Sequence, residues 1–428
     1  MKLNYKRTIL VGFAFFLICA FWGAYDAIVP KILTNLFGMK QSVSGFIMSF
    51  DNILAVFMLP LFGALSDKYQ SKWGKRTPFI LIGTCCAVVF FILLGTIQSP
   101  NLLWLFIVVL LLTLISMATF RSPAVALMPD VTVKPLRSKG NAVINLMGTA
   151  GGILVLVFGI LFKTGAEGKT SFFGYVLAVA GLMVAGLVVF LLTVKEPLWV
   201  KEMEEETRTL GLEEQAKESE GEKRALTPDE RKSLYLILAS VALWFIGYNA
   251  VTSKYSVYAE QVLHVDFNTT LIVAQVAAIV SYIPVGIVSS KIGRKKAILS
   301  GIVMLTLAFF IAIFLTDVKN ELMMFPIFAL AGIGWATINV NSFPMVVELA
   351  KAGDTGKYTG YYYTASMAAQ IVTPVLSGLL VDAVGWGVFF PYAAVFAALS
   401  FVTMFFVKHG DSKPEQKKSL LEALDVED

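Results

Sequence analysis

The stretch GALSDKYQSKWGKRTPF, residues 63–79, joins two long apolar runs and concentrates charge between them. A shorter relative, GIVSSKIGRKK, occupies residues 286–296 and begins 223 residues further along the chain. The same offset links YDA at residues 25–27 with YNA at residues 248–250. Several matches at one offset indicate an internal duplication, so the sequence predicts two repeats of one architecture.

The composition of the 428-residue chain is typical of a membrane protein. Hydrophobic residues make up 57% of it and charged residues 15%, and the mean hydropathy is +0.73. Soluble domains are about 45–50% apolar and about 25% charged. A soluble fold would therefore need an implausibly large core.

Twelve segments are long and apolar enough to cross a bilayer, for which roughly 20 residues are needed. We expect an all-α membrane protein of twelve transmembrane helices in two pseudo-symmetric six-helix bundles. The predicted spans are 8–31, 43–66, 78–98, 101–128, 140–163, 172–195, 233–258, 267–290, 296–316, 321–348, 358–381 and 386–408.

Basic residues set the predicted orientation. Lys and Arg cluster before the first span and after the second, fourth and eighth, whereas the alternate connections contain few. Because cytoplasmic loops are enriched in these residues, we expect both termini on the cytoplasmic side. The net charge of +5 follows from such loops and does not indicate nucleic-acid binding. The first apolar run is too long for a signal-peptide core, which predicts a retained first helix in a multi-pass plasma-membrane protein.

One long polar stretch divides the chain. We predict a first bundle over residues 1–195, a cytoplasmic linker over 196–232, a second bundle over 233–409 and a polar cytoplasmic tail over 410–428. Near the end of the linker, TPDE at residues 227–230 predicts a helix start. Its threonine would be the N-cap and its proline the first helical residue.

The motif at residues 63–79 is the more specific of the two copies, because the second has Ser290 where Asp67 would stand. Both copies resemble the Gly-x-x-x-Asp-x-x-Gly-Arg signature of the major facilitator superfamily. The longer first copy, with the stretches 121–148 and 339–378, resembles the branch of sucrose–proton and glycoside–pentoside–hexuronide cation symporters. This resemblance covers nearly the whole chain outside linker and tail. It implies secondary transport of a sugar by alternating access to a midplane site.

Two ionisable residues lie inside predicted spans, where a charge is costly and usually functional. Asp26 is 18 residues into the first span, and Arg121 precedes Asp130, at the end of the fourth, by nine residues. The resemblance implies sugar-contacting carboxylates at both positions, of which this chain keeps Asp26. We expect Asp26 to pair with Arg121, since paired charges offset each other's desolvation. Asp26 would bind substrate hydroxyls, carry the coupling proton, or both; a structural salt bridge is the alternative.

Asp51 and Asn52 form a second polar point, in the second predicted span. Asp51 is a second candidate proton carrier, and a hydrogen bond between helices is the alternative. Sodium-coupled melibiose-type carriers have acids four and eight residues before the motif glycine, where this chain has Leu59 and Ala55. The resemblance therefore favours protons over sodium.

Sugar sites combine aromatic rings for the C–H face of a pyranose with forked polar groups for its hydroxyls. Lipid-interface aromatics and helix-bridging amides are the alternative explanations for such side chains. Trp335 and Tyr363 are predicted to be packing residues instead. The candidate substrate-binding residues are Trp22, Tyr25, Asp26, Asn52, Arg121, Trp244, Tyr248, Asn249, Gln275, Asn339, Asn341, Tyr361, Tyr362 and Gln370.

Charges at the cytoplasmic ends of the spans are predicted to form latches between helices. We expect Arg137 to pair with Asp130 at the membrane edge, with ordinary positive-inside anchoring as the alternative. The candidate latch residues are Asp67, Arg76, Asp130, Arg137, Arg294 and Glu348.

No motif in the sequence indicates covalent catalysis, a metal or a nucleotide. The two histidines, His264 and His409, lie near span ends, and the three cysteines have neither disulfide nor metal spacing. AGDTGKYTG at residues 352–360 lacks the Walker spacing. We expect no enzyme activity, cofactor or metal.

The predicted function is secondary active transport of a sugar or glycoside, coupled to protons. The expected partners are that substrate, the proton and the lipid bilayer, and we expect a monomer. Two alternatives remain open. One is a major facilitator transporter of another substrate, such as an exported drug-like molecule or a nucleoside, and the other is a non-transporting membrane sensor.

Overall fold

Hydropathy predicts the helical architecture correctly. The computed structural model describes residues 3–97, 99–133, 136–169, 171–209, 226–315, 320–349 and 355–410. Within those ranges eleven helices are long and apolar enough to cross a membrane. A twelfth, which bends by 51° next to Pro284, meets the same criterion as one bent span. The predicted all-α fold of twelve membrane-crossing helices is thus confirmed.

The described residues form fifteen α-helices. Short π-helical turns at Ile32–Leu36 and Ala259–Leu263 extend two of them. The helices are α1 (Tyr5–Lys31), α2 (Gln41–Met48), α3 (Phe50–Lys68), α4 (Thr77–Thr96), α5 (Leu103–Asp130), α6 (Arg137–Leu161), α7 (Phe173–Thr193), α8 (Glu196–Thr209), α9 (Pro228–Thr252), α10 (Tyr255–Tyr258), α11 (Phe267–Ile292), α12 (Arg294–Ile313), α13 (Glu321–Glu348), α14 (Thr355–Val384) and α15 (Phe389–Phe405).

The chain divides into two structural units. The first consists of Met1–Met39 and Phe50–Gly211, and the second of Lys40–Ser49 and Leu212–Asp428. The beginning of the predicted linker is therefore helical and belongs to the first unit, as α8. The tail from residue 411 onward lies outside the described residues.

In the first unit, α1 is the central helix. It is apolar all round and buried along most of its length, as is typical of a helix in the core of a bundle. Arg7, near its start, holds α8 in place: the guanidinium Cζ lies 5.0 Å from the Trp199 ring centroid. Its Nη1 atom lies 3.2 Å from a carboxylate oxygen of Glu202.

In the second unit, α9 begins as its sequence predicts. The Thr227 side chain accepts a hydrogen bond from the Glu230 backbone N–H at 3.3 Å. The Glu230 carboxylate accepts one from the Thr227 backbone N–H at 2.8 Å. With Pro228 as the first helical residue, this is a complete capping box and confirms the predicted N-cap.

The ten residues 40–49 pack within the second unit, although residues 43–49 belong to the second predicted span. The carboxylate of Asp382 accepts hydrogen bonds from the backbone N–H groups of Gln41 and Ser42, both at 2.8 Å. It thereby caps the positive N-terminus of α2. Lys254 Nζ donates to the Gln41 carbonyl at 2.8 Å. Gly378 allows this approach, because a Cβ there would overlap the Gln41 carbonyl.

The duplication also appears in local structure. Lys31 and its counterpart Lys254, 223 residues later, are both buried. Each Nζ donates to a backbone carbonyl of its own unit, Lys31 to Thr164 at 2.5 Å and Lys254 to Gln41 at 2.8 Å. A π-helical turn follows each lysine within a few residues. The two repeats therefore share details that hydropathy alone does not specify.

Candidate functional site

Three charged side chains interact inside the first unit. Asp26 lies on α1 about 15 Å from the Leu36 end of that span, and Asp51 begins α3. Arg121 lies on α5 about 14 Å from the Asp130 end. Arg121 acts electrostatically on Asp51, which in turn interacts with Asp26. Arg121 therefore acts on Asp51, whereas its expected pairing with Asp26 stays a prediction.

The three charged side chains differ in their exposure. Asp26 is exposed on the surface of α1, whereas Asp51 and Arg121 are partly buried. Asn52 donates to Asp51 Oδ1 from its backbone N–H at 2.6 Å and from its side-chain amide at 2.8 Å. In most membrane proteins an acid within a span faces either the bundle interior or a water-filled cavity.

Aromatic side chains of α1 lie next to the charges. The guanidinium Cζ of Arg121 is 5.6 Å from the Trp22 ring centroid, within cation–π range. Trp22 packs edge-to-face on Tyr25, with centroids 5.3 Å apart. In the described structure neither the Trp22 indole N–H nor the Tyr25 hydroxyl has a hydrogen-bond partner, although both atoms are buried. Such groups normally bond to something, so both are available to a ligand or to water.

The second unit has an equivalent set. Tyr248, the counterpart of Tyr25, stacks on Trp335 with centroids 3.7 Å apart and ring planes 6° apart. Trp335 was predicted to be a packing residue, and it packs against both Tyr248 and Phe245. In the same unit, the side-chain amide nitrogen of Asn249 and the side-chain amide oxygen of Gln275 have no hydrogen-bond partner among the described residues. Each unit therefore contains unpaired polar atoms, although at different positions of the repeat.

Other predicted substrate residues have structural contacts. Trp244 is only 1% exposed, and Asn341, which is equally buried, donates to the Thr337 carbonyl of its own helix at 2.9 Å. Tyr362 shares a 3.0 Å hydrogen bond with Ser342. Asn341 and Tyr362 therefore have structural hydrogen bonds, and substrate contact by these three residues stays a prediction.

Three further candidates, Tyr361, Gln370 and Asn339, have few side-chain contacts or only weak ones. Tyr361 is exposed, and its ring centroid lies 5.9 Å from Lys357 Nζ. Gln370 makes one weak hydrogen bond, of 3.4 Å, to a carbonyl of its own helix. Asn339 is half-buried, and its backbone carbonyl accepts a long hydrogen bond from Ser342. Gln370 and Asn339 therefore keep side-chain capacity for a ligand.

The predicted latch of the first unit is assembled around Arg76. The guanidinium is 4% exposed, donates from Nε to Asp130 at 2.7 Å and forms an ion pair with Asp67. Lys75 Nζ lies 3.5 Å from the same Asp130 carboxylate. Burial opposes the charge of Arg76, but the hydrogen bonds to Asp130 and Asp67 outweigh it and raise the pKa of the guanidinium. Arg76 is thus a permanent cation that joins three chain segments.

Sequence reasoning missed the residue that completes this latch. Glu196 is 1% exposed, and its carboxylate accepts backbone N–H bonds from Lys75, Arg76 and Thr77 at 2.7, 2.9 and 2.8 Å. The Thr77 hydroxyl adds a fourth, at 2.7 Å. The carboxylate therefore caps the N-terminus of α4, where negative charge is favoured. Gly74 makes room for it: φ is +103°, and a Cβ there would overlap the carboxylate.

The second unit has a simpler latch. Arg294 forms an ion pair with Glu348, 54 residues later, as Arg76 does with Asp130. Ser290, in place of an acid, donates to the Ile287 carbonyl of its own helix at 2.8 Å. The expected Arg137–Asp130 pair is wrong, because Arg137 Nε donates to the Thr132 carbonyl at 3.2 Å.

Among the described residues, no group of three or more His, Cys, Asp or Glu side chains is arranged to hold a metal ion. The three cysteines are free thiols.

Twelve membrane-crossing helices in duplicated units, with ionisable and unpaired polar groups inside the spans, define a multi-pass membrane transporter. The sequence profile of the Major Facilitator Superfamily matches residues 11–371 and 269–424. The chain belongs to that superfamily.

The relatives are similar to this chain at low identity. An uncharacterised MFS-type transporter of Methanocaldococcus jannaschii is 25% identical over 420 residues, which cover 94% of this chain and 95% of that protein. A sucrose transport protein of Arabidopsis thaliana is 29% identical over 167 residues, 35% of this chain and 27% of that protein.

Solved structures share the fold at low identity. The inward-open xylose transporter of E. coli has a TM-score of 0.69 and 15% identity, covering 98% of this chain and 99% of that one. The nucleoside transporter NupG has a TM-score of 0.68 and 15% identity, covering 94% and 100%. These similarities establish the fold and leave the substrate open.

Proposed function

We propose that this transporter carries a sugar or glycoside together with a proton across the plasma membrane by alternating access. The observation that supports the coupling is the group formed by Asp26, Asp51 and Arg121. Arg121 acts on Asp51, and Asp51 interacts with Asp26, so the fully ionised group of two carboxylates and one guanidinium has a net charge of −1. A membrane interior penalises an uncompensated charge, and one bound proton removes it.

The same group can connect proton and substrate. Asp26 is the exposed member, whereas Asp51 is held by Asn52 and acted on by Arg121. We infer that Asp26 exchanges the proton and that Asp51 with Arg121 forms the fixed counter-charge. A ligand hydroxyl bound at Asp26 would stabilise one protonation state, and this links the two affinities.

The unpaired polar atoms favour a polyhydroxylated substrate. The Trp22 N–H and the Tyr25 hydroxyl in the first unit can bond to sugar oxygens or hydroxyls. In the second unit, Asn249 and Gln275 provide a donor and an acceptor. The Tyr248–Trp335 stack offers an aromatic surface of the kind that a pyranose ring packs against. The partial similarity to a sucrose transport protein points in the same direction.

Proteoliposomes with an imposed pH gradient test this proposal. Wild-type protein should accumulate one or more labelled mono- or disaccharides when the gradient is present, with or without sodium. Asp26→Asn should abolish accumulation but keep exchange of substrate across the membrane, because binding survives without the proton. Asp229→Asn, at an exposed acid in the first turn of α9, is the matched control and should transport normally.

The outcomes separate the alternatives. Asp26→Asn accumulation at the wild-type level with unchanged pH dependence would exclude Asp26 from coupling. If no saccharide is transported or raises the melting temperature at any pH, the sugar proposal fails. The same panel includes nucleosides and chloramphenicol, because a chloramphenicol resistance protein of Acinetobacter baumannii is 30% identical over 117 residues, 27% of this chain and 28% of that protein.

A further inference from the structure

A groove in the second unit is lined by none of the charged and unpaired side chains described above. It has a volume of about 760 Å³ and is enclosed by α11, α12 and α13. Its lining is almost wholly aliphatic. The lining residues are Ile272, Val273, Val276, Ala277, Val280, Ser281, Pro284, Val285, Val288, Ala297, Ser300, Met304, Ile333 and Thr337.

The groove offers a polar substrate no free hydroxyl donor. Its three hydroxyls belong to Ser281, Ser300 and Thr337. Each donates to a backbone carbonyl three or four residues earlier in its own helix, at 2.7 Å. The groove therefore favours a ligand segment that is mostly apolar.

The side of α11 that lines the groove is an exposed apolar stripe. Val276, Val280, Pro284 and Val288 lie four residues apart, on one face of the helix, and all four are exposed. Val280 is 66% exposed. The lined length from residue 272 to 288 is about 24 Å, which exceeds the roughly 15 Å of hydrocarbon in one leaflet. The groove is long enough to hold a complete acyl chain.

Lysines continue the lining at one end. Lys291 follows Val288 by three residues on α11, and Lys296 precedes Ser300 by four on α12. Residues three and four apart lie on the same face of a helix. Both lysines therefore extend the groove-lining faces by one turn, toward the side that we expect to be cytoplasmic.

Four basic residues lie around the junction of α11 and α12, and only two of them have partners among the described residues. Arg294 is paired with Glu348, and Lys295 donates to two carbonyls at the end of α15, at 2.6 and 2.8 Å. Within the described structure, Lys291 and Lys296 are exposed and make neither an ion pair nor a hydrogen bond. Two cations are thus left at the mouth of an apolar groove, which is complementary to an anionic headgroup attached to an acyl chain.

We propose that this groove binds an anionic phospholipid of the cytoplasmic leaflet, with one acyl chain along α11 and the headgroup on Lys291 and Lys296. The inference is independent of the proposed sugar transport, because it uses no residue of that site. The bound lipid would fill the space between α11 and α12, so that it stabilises the second unit.

Native mass spectrometry of the purified full chain tests the proposal. The probes are palmitoyl-oleoyl phosphatidylglycerol, phosphatidylcholine with the same chains, and chain-free glycerol 1-phosphate. Each lysine near an anionic surface contributes roughly a fivefold preference, so the wild type should prefer phosphatidylglycerol over phosphatidylcholine by about 30-fold. Lys291→Gln with Lys296→Gln should remove that preference. The matched control is Lys68→Gln with Lys72→Gln, which changes exposed lysines of the corresponding loop in the first unit.

A second pair of variants tests whether the acyl chain lies in the groove. Val280→Phe should displace about two methylenes of the lipid and weaken the binding of both phospholipids about tenfold, without changing the preference between them. Val303→Phe, at an exposed valine of α12 outside the groove, should have no effect.

Four results would each overturn the proposal. They are equal retention of the two phospholipids by the wild type, an equal loss in the Lys68/Lys72 control, competition by glycerol 1-phosphate as strong as by the phospholipid, and unchanged binding in Val280→Phe.

Discussion

Replacing Glu196 by glutamine should loosen the loop before α4. The carboxylate accepts four hydrogen bonds, three of them from backbone N–H groups at 2.7–2.9 Å. The glutamine oxygen can accept two of these, each weaker by about 1 kcal/mol because the acceptor is neutral. The other two donors would face an NH₂ group, at a cost of about 1 kcal/mol each. The sum is about 4 kcal/mol.

Thermal unfolding of the purified protein measures this loss. For a unit of this size, 1 kcal/mol corresponds to about 2–4 °C, so Glu196→Gln should melt about 8–16 °C below the wild type. Trypsin should also cleave faster after Lys72 and Lys75, because the released loop contains both. Glu202→Gln is the control: that side chain is 51% exposed in its ion pair with Arg7, and its loss should cost at most about 1 kcal/mol.

A melting temperature within 2 °C of the wild type, with unchanged trypsin cleavage, would contradict this reasoning. It would mean that the carboxylate is not the group that organises the loop, and that water or another acceptor can replace it at no cost.

Further predictions concern the other ion pairs and caps. Arg76→Gln should lower the melting temperature by about 6–12 °C, since breaking a buried pair costs about 3 kcal/mol, whereas Arg294→Gln at a more exposed pair should cost about 1 kcal/mol. Equal effects of the two in a thermal scan would refute the difference in burial as the cause. Asp382→Asn should cost about 1 kcal/mol through the weakened cap of α2, and hydrogen exchange should be faster at the first amides of α2 only. Faster exchange throughout the second unit would instead indicate that Asp382 supports more than this cap.

The fold could be predicted because the bilayer leaves few choices. A chain that crosses hydrocarbon must satisfy its backbone hydrogen bonds within each helix, so apolar length alone identifies the spans. The start of α9 was equally predictable, since the Thr227 cap and its Glu230 partner are three residues apart. The break at Ser49 was not. It depends on which surface residues 40–49 pack against, and that surface is more than 200 residues away in sequence.

The site was predictable in part for a related reason. Trp22, Tyr25, Asn249 and Gln275 stand out as polar or amphipathic residues in apolar spans, and the structure leaves a polar atom of each unpaired. Glu196 gave no such signal, because an acid at the start of a charged segment looks solvated. Its role depends on the loop folding back over it.

The ion pairs of the two latches could be predicted from the internal duplication. Arg76 precedes Asp130 by 54 residues, and Arg294 precedes Glu348 by the same distance. A matched spacing in both copies indicates a contact that duplication preserved. The Arg137–Asp130 prediction relied on proximity along the chain instead, and it failed because Asp130 is already occupied by Arg76 and Lys75.

The position of α2 in the second unit has a consequence for synthesis. The backbone N–H groups at the start of α2 can donate to Asp382 only after that residue has been synthesised, and Asp382 follows Gln41 by 341 residues. At about 5–20 residues per second, this acid leaves the ribosome roughly 17–70 s after α2. During that interval the nascent chain contains a short helix whose docking surface does not yet exist. Insertion of the last helices, rather than of the first, therefore determines when α2 reaches its native contacts, and chains truncated before α14 should leave this early segment accessible to proteases.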